Sequence, residues 1–355
     1  MTVDRALVSC AEVLRDPARF DAFLDVRSEV EFAEDHLPGA LNLPVLHDAE
    51  RAEVGTLYKQ VSPFDARRHG AALVARNIAS MVEGDLAGMK RDWRPLVYCW
   101  RGGQRSAALT HVLARIGWAA RQLDGGYREF RRHVVRALLE LPARLSFVVV
   151  CGPTGSGKSR LLQQLALAGA QVLDLEQLAS HRGSVLGGLP TLPQPSQKMF
   201  ETRIWTALSG LRAEMPVFVE AESRKVGDLR VPDALIVAMR SARCVRIDLP
   251  IAERVRLLRD EYVHFEQDPS QLLAQLDCLL ALHGRERVEQ WKALAAAARW
   301  DALVERLLLE HYDPSYLRSI SRNFARAEDA RIVALERGAP EAFAAVAQAL
   351  ALDRP

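Results

Sequence analysis

The chain has no apolar segment approaching the ~20 residues that a membrane span requires. Its opening residues, MTVDRALVSCAEVLRDP, carry acids early and lack the apolar core of a secretory signal. These two absences predict a soluble protein that stays in the cytoplasm, with no membrane partner. Cysteine is scarce. The five that occur, Cys10, Cys99, Cys151, Cys244 and Cys278, are odd in number and widely scattered. That spacing excludes a disulfide framework and a paired-cysteine zinc site, so each thiol has to be judged in its own surroundings. Charge of one sign is missing too: 47 basic residues against 45 acidic leave a net charge of +2, so no overall field calls for a polyanionic partner. Lysine supplies only six of the 47, and the basic surface is therefore arginine. There is no internal repeat and no low-complexity linker.

What is present is ordinary globular material, 49% hydrophobic and 26% charged over 355 residues. That length predicts two domains, each with a core of its own. In the first part of the chain, short apolar runs at 23–26 and 96–99 are each followed by turn residues and then a helical pattern, which reads as α/β. A second α/β unit opens with the β-branched run 145–151. Further strands are expected at 171–175, 217–220, 234–238 and 244–248, with helices between them, which implies a parallel sheet wrapped by helices. From about Ile251 onward the pattern is almost wholly helical. The expected organisation is one domain over 1–136, a second over 137–310 and a helical extension over 311–355. A basic stretch from Arg121 to Arg144 lies at the first junction; it suits a solvated helix face or an RNA-contacting strip.

The second unit carries a phosphate loop. Gly152-Pro153-Thr154-Gly155-Ser156-Gly157-Lys158-Ser159 matches GxxxxGK[ST] at every position, follows an apolar strand and runs into a helical segment. Gly152, Gly155 and Gly157 let backbone N–H groups, including that of Ser156, converge on phosphate oxygens at a helix N-terminus. Lys158 supplies a point charge and Ser159 can ligate Mg2+. Acids at strand ends, Asp174, Glu176, Glu220 and Glu222, could hold the metal or its waters, or could be ordinary strand-end acids. Arg182 and Arg224 sit in loops that would face the ligand, or would simply lie at the surface. Nothing specifies adenine, so the motif predicts a polyphosphate ligand and leaves open what is attached to it.

The first unit carries a cysteine loop. Cys99-Trp100-Arg101-Gly102-Gly103-Gln104-Arg105 follows one strand and precedes an amphipathic helix. A cysteine there lies among backbone N–H groups at a helix N-terminus with Arg101 and Arg105 near. This setting favours a reactive thiolate and a bound anion. The other four cysteines read as inert.

Around this loop the sequence resembles a known family. Asp25-Val26-Arg27-Ser28-Glu29, Glu31-Phe32, His36-Leu37-Pro38-Gly39-Ala40, Asn42 and Pro44 are similar to the rhodanese signature, and Leu123-Asp124-Gly125-Gly126-Tyr127 is similar to the segment near the end of those domains. The resemblance implies a rhodanese-like domain over residues 1–136 with Cys99 as the carrier of sulfur or selenium. The loop departs from the usual rhodanese spacing: Cys99 and Arg105 enclose five residues instead of four, as in cysteine-dependent phosphatases, and the wider ring suits a tetrahedral oxyanion.

A rhodanese domain with this loop joined to a P-loop domain resembles the tRNA 2-selenouridine synthase family. So do the phrases from Asp174 to Ser184, Gln194 to Glu201 and Glu220 to Gly227. The resemblance implies a tRNA-modifying transferase that converts wobble 2-thiouridine to 2-selenouridine. The sulfur is first geranylated from geranyl diphosphate at the P-loop, and selenium from selenophosphate then replaces the S-geranyl group, with Cys99 as its carrier. A selenophosphate-supplying enzyme is an implied partner. The alternatives are a small-molecule ATP-dependent kinase with an appended rhodanese sulfurtransferase domain, or an anion-sensing module without turnover.

Overall fold

In a computed structural model describing residues 7–184, 186–188 and 192–352, the alternating apolar runs become two separate parallel sheets. The chain divides into two units. The first runs to Ala137 and takes in Ser196–Arg203; the second comprises Leu138–Pro195 and everything from Ile204 onward. Residues 1–6 and 353–355 of the expected domains lie outside the described residues.

The first unit holds β1 (Leu7–Val8), β2 (Ala22–Asp25), β3 (Leu41–Asn42), β4 (Pro95–Tyr98) and β5 (Arg121–Leu123) in the order β1-β5-β4-β2-β3, each neighbour parallel. Strand β4 is central and buried at every position, because a strand covered on both faces has no solvent side on which to place a polar residue. Leu24, Val26, Val97, Leu109 and Leu113 form the core with Ile78 and Met81 of the long helix Pro63–Glu83. The cysteine loop leaves the C-terminal end of β4 and enters helix Gln104–Ile116.

The second unit holds β6 (Phe147–Cys151), β7 (Gln171–Leu173), β8 (Val217–Glu220), β11 (Arg243–Asp248) and β12 (Arg331–Ala334) in the order β12-β11-β6-β8-β7, again all parallel. A small antiparallel hairpin, β9 (Lys225–Val226) and β10 (Leu229–Arg230), accompanies them. Strand β6 lies in the middle. The chain first moves to one side of it, through β7 and β8, and then crosses to β11. Such a reversal opens a crevice at the strand C-termini where ligands bind, and the phosphate loop starts there. Val148, Val150, Leu161, Leu162 and Leu165 pack with Ile247, Phe343 and Ala347 in the core. The helices between β11 and β12 build a second core around Phe265, Leu276, Val288, Trp291 and Leu303.

The structure corrects two expectations. Residues 234–238 are part of helix Asp233–Ser241, not a strand: Pro232 caps the helix, and Leu235, Ile236 and Met239 fall on one buried face. Within the stretch expected to be helical, Arg331–Ala334 is an edge strand on β11. Four residues in an Ala- and Leu-rich region give too short a pattern to separate from a helix, and only pairing with β11 decides it. Strand β7 also stops at Leu173, because the Asp174 carboxylate accepts from Gln177 N and caps helix Leu175–Ala179.

Helix Pro340–Leu352 closes the second unit. Phe343, fully buried, lies against Gly157, where an added Cβ would come 2.3 Å from its ring. We predict that Phe343→Ala lowers the stability of this unit by about 3–5 kcal/mol, measured by urea unfolding. A loss below 1 kcal/mol would mean that this helix is not part of the core.

Candidate functional site

Two sites form, one at the central strand end of each sheet. In the first unit Cys99 is almost fully buried. Gly103 N donates to its Sγ at 3.3 Å, and Ser106 Oγ lies 3.2 Å from the same atom. Gln122 Nε2 donates to Ser106 Oγ at 3.1 Å and to Gly102 O at 2.6 Å, which leaves the hydroxyl proton for the sulfur or for Gly103 O. Gly103 is also the residue at which helix Gln104–Ile116 starts, so its unpaired N–H groups face the same side. The arrangement gathers hydrogen-bond donors around the sulfur, where an anion held beside it would meet them.

The expected loop residues divide by role. Arg101, Gly103 and Gln104 are exposed around the mouth, and Trp100 packs on Tyr127 with ring centroids 5.2 Å apart. Arg105 does not point at the sulfur. Its guanidinium donates to both carboxylate oxygens of Glu31, at 2.7 and 3.3 Å, and holds that carboxyl below the usual range despite its burial. The loop's base is set by backbone: Tyr127 N donates to Cys99 O at 2.9 Å and Arg128 N to Trp100 O at 3.0 Å. Beneath it Arg27, fully buried, pairs with Asp25 at 2.6 Å, donates to Asp35 O and lies 4.0 Å from the Tyr127 ring centroid. The Asp-Val-Arg motif is thus a buried support, not a contact surface. The sequence analysis does not single out Ser106 and Gln122; Ser106 directly follows the loop, but Gln122 reaches it from β5 with no local signal.

In the second unit the phosphate loop bends from β6 into helix Lys158–Leu167. Lys158 Nζ donates to Gly152 O at 2.9 Å, curled over the loop's own backbone. Ser159 Oγ donates to Glu176 at 2.9 Å. Ser156 is fully buried, and its hydroxyl has no partner among the described residues. Two braces far away in sequence hold the loop. Tyr316 Oη accepts from Gly152 N at 2.7 Å. Arg254 donates to Thr154 O at 2.9 Å while paired to both oxygens of Asp313 at 2.9 and 2.5 Å. No sequence pattern pointed to Tyr316, Arg254 or Asp313, because the contacts span 59 to 164 positions.

All four expected acids gather beside Ser159. Glu220 is fully buried: one oxygen accepts from Glu176 N at 2.8 Å and the other has no partner among the described residues. Asp174, Glu176 and Glu222 are half-buried. Gly183 sits over the group, with the oxygens of Glu222 and Glu176 2.6 and 2.7 Å from where a Cβ would stand. Desolvation first, and mutual repulsion with it, raises the pKa of Glu176, Glu220 and Glu222, that of Glu222 to about 8; burial raises that of Asp174. Arg182 is directed elsewhere: it donates to Glu261 O at 2.8 Å and lies 4.8 Å from the Tyr262 ring centroid. Arg224 is exposed.

Among the described residues no three His, Cys, Asp or Glu side chains are drawn into a metal-ligating group. The partnerless Glu220 oxygen and the raised carboxyls fit a cation beside Ser159. Part of the basic stretch is engaged locally: Arg131 pairs with Glu201 and Arg132 with Glu129 at 3.0 Å in the first unit, and Arg144 with Glu140 at 3.3 Å in the second. No helix among the described residues is long and apolar enough to cross a membrane.

Comparison with known proteins fits this division. The tRNA 2-selenouridine synthase AAA domain matches residues 145–334 and the rhodanese-like domain matches 9–133. The tRNA 2-selenouridine synthase of Aeromonas salmonicida is 32% identical over 85% of this chain and 88% of its own length. That of Bdellovibrio bacteriovorus is 32% identical over 84% and 89%. The Nitrosomonas europaea protein of that name is 37% identical over 68% of this chain, an alignment that spans 63% of the relative.

The acids carry a pH prediction. Their folded pKa values lie above the unfolded ones, so between the two the folded state binds more protons than the unfolded state. The resulting stabilisation is complete below the unfolded pKa and is lost as pH rises through the folded one; for Glu222 the interval is 4.5 to about 8. The ligand-free protein should therefore lose stability between about pH 5 and about pH 8.5, and Mg2+ with pyrophosphate should flatten that slope. Glu222→Gln should reduce it without added ions. Chemical denaturation across the interval measures both, and stability rising with pH would contradict the assignment.

Proposed function

The chain belongs to the tRNA 2-selenouridine synthase family, and from that premise we propose that it is a transferase acting on tRNA in two steps, one at each site. The observation that carries this reading is the pairing in one chain of a thiol loop built for an anion with a phosphate loop flanked by desolvated acids.

In the first step the phosphate loop grips the diphosphate of geranyl diphosphate. Loop N–H groups and Lys158, swung from Gly152 O onto the ligand, offset the charge that grows as the C–O bond breaks. The thiocarbonyl sulfur of 2-thiouridine takes the geranyl carbon, pyrophosphate leaves, and the uridine N3 proton passes to solvent. Ser159 would hold Mg2+, with Glu176 and Glu220 ordering its waters; the ion supplies further charge neutralisation on the leaving group. Arg254 and Tyr316 are positioning residues for the loop.

In the second step selenophosphate occupies the cysteine loop. Attack of the Cys99 thiolate on selenium would expel phosphorus as phosphite, whereas attack on phosphorus breaks the P–Se bond and releases hydrogenselenide. That ion then displaces the geranylthiolate at the uridine C2, and the S-phosphorylated Cys99 is hydrolysed. We favour attack on phosphorus, in which Cys99 carries the phosphoryl group and not, as the resemblance implies, selenium: phosphorus and selenium then keep their oxidation states, whereas attack on selenium reduces phosphorus to phosphite. The N–H of Gly103 and the helix N-terminus behind it suit the oxyanions of such a donor. A selenophosphate-supplying enzyme would deliver that donor.

Two substitutions separate the steps. Cys99→Ser should abolish selenium incorporation and leave S-geranyl tRNA to accumulate. Lys158→Ala should lower geranyl transfer by roughly 100-fold or more while a pre-geranylated tRNA is still selenated. Nucleoside mass spectrometry of the treated tRNA distinguishes them. Normal 2-selenouridine formation by Cys99→Ser removes the thiol from the mechanism, and unchanged geranylation by Lys158→Ala removes the phosphate loop.

A further inference from the structure

An apolar cavity lies against the phosphate loop in the second unit. One end is formed by Thr154 of the loop and by Leu258. The contact with the loop is direct: an added Cβ at Gly155 would meet Leu258 Cδ1 at 2.8 Å. The far wall is made by Phe265, Leu272, Leu303 and Leu307, members of the core built by the helices between β11 and β12. The cavity measures about 70 Å³.

Its few polar side chains are already engaged. Arg259 pairs with Glu266 at 2.9 Å and with Asp301 at 3.0 Å, and the hydroxyls of Tyr262 and Tyr312 meet Ser184. A nucleobase needs hydrogen-bonding partners for its edge, and a site without them discriminates against it. A hydrocarbon needs none, and it gains from displacing an empty or poorly wetted apolar space.

The geometry points to this cavity as a tail site: Phe265, Leu272, Leu303 and Leu307 receive the apolar chain of a diphosphate ester whose headgroup lies in the phosphate loop. This rests on the reading of that loop as a diphosphate site. The volume is below the roughly 300 Å³ at the low end of small-molecule pockets, so the proximal part of an isoprenoid chain enters first and the rest displaces the helical wall. Val304 and Trp300, half-buried at the rim, set how long a chain is accepted.

The test is calorimetric binding to the full-length protein with Mg2+, comparing geranyl diphosphate, inorganic pyrophosphate and ADP. Geranyl diphosphate should bind roughly tenfold or more tighter than pyrophosphate. Val304→Trp should remove most of that difference while leaving pyrophosphate affinity within about twofold, which also shows that the variant is folded. Should Val304→Trp fail to fold, Trp300→Ala serves instead and should shift preference toward farnesyl diphosphate. Equal binding of geranyl diphosphate and pyrophosphate by the unaltered protein, or a geranyl preference untouched by either substitution, overturns the tail site and leaves the phosphate reading standing. ADP binding tighter than geranyl diphosphate overturns it in favour of a nucleotide. Binding of none of the three removes the phosphate reading and the tail site with it.

Discussion

Both sites depend on backbone packed too closely for a side chain to intervene. At Gly126 a Cβ would fall 2.2 Å from Cys99 O and 2.4 Å from Gly102 N; at Gly157 it would fall 2.3 Å from the Phe343 ring. Each glycine also adopts a positive φ, +60° and +84°, which a larger residue would hold only under strain. These approaches turn the chain end of a central strand into a concave ring of N–H groups. Without them the thiol and the lysine would still be present, but the donors around them would not converge.

The two rings then differ in how charge is handled. At Cys99 the polar groups are satisfied before any ligand arrives: Arg105 is held by Glu31, Ser106 by Gln122, and Arg27 by Asp25 beneath. The loop is preorganised, and an anion can enter without rearranging charged side chains. At the phosphate loop the reverse holds. Lys158 bends back onto Gly152 O, Glu220 has an oxygen without a partner, and three further carboxyls crowd beside it. Burial of so many acids is unfavourable as carboxylates, and their protonation relieves it. Hydrogen-bonding capacity is thus left over at this loop that a ligand could use.

The helical stretch between β11 and β12 ties these features to the rest of the second unit. Arg254 from its first helix donates to Thr154 O while paired with Asp313 from a later one, and Tyr316 Oη accepts from Gly152 N. The same helices enclose the apolar cavity beside the loop. A displacement of these helices would therefore reach both the phosphate loop and the cavity next to it.

Much of this was legible in the sequence, for reasons of range. A strand, a glycine-rich turn and a helix N-terminus are contiguous, so Gly152–Ser159 and Cys99–Arg105 could be read as anion loops from local chemistry alone, and the α/β alternation around them as two parallel sheets. The acids Asp174, Glu176, Glu220 and Glu222 were legible as strand-end residues. Which of them is buried without a partner was not, because it depends on β7 and β8 lying side by side with Gly183 folded over them. Periodicity misled where the pattern was short: residues 234–238 became helical through the capping Pro232, and Arg331–Ala334 became a strand only by pairing with β11. Arg105 and Arg182 have the right charge at the right place in the chain, yet Glu31 and the Glu261 carbonyl take them. Local sequence determined which backbone segments gather N–H groups at a strand end. Tertiary packing decided which side chains are left to face the ligand, because partners 59 to 164 residues away leave no mark on the residues beside the loop.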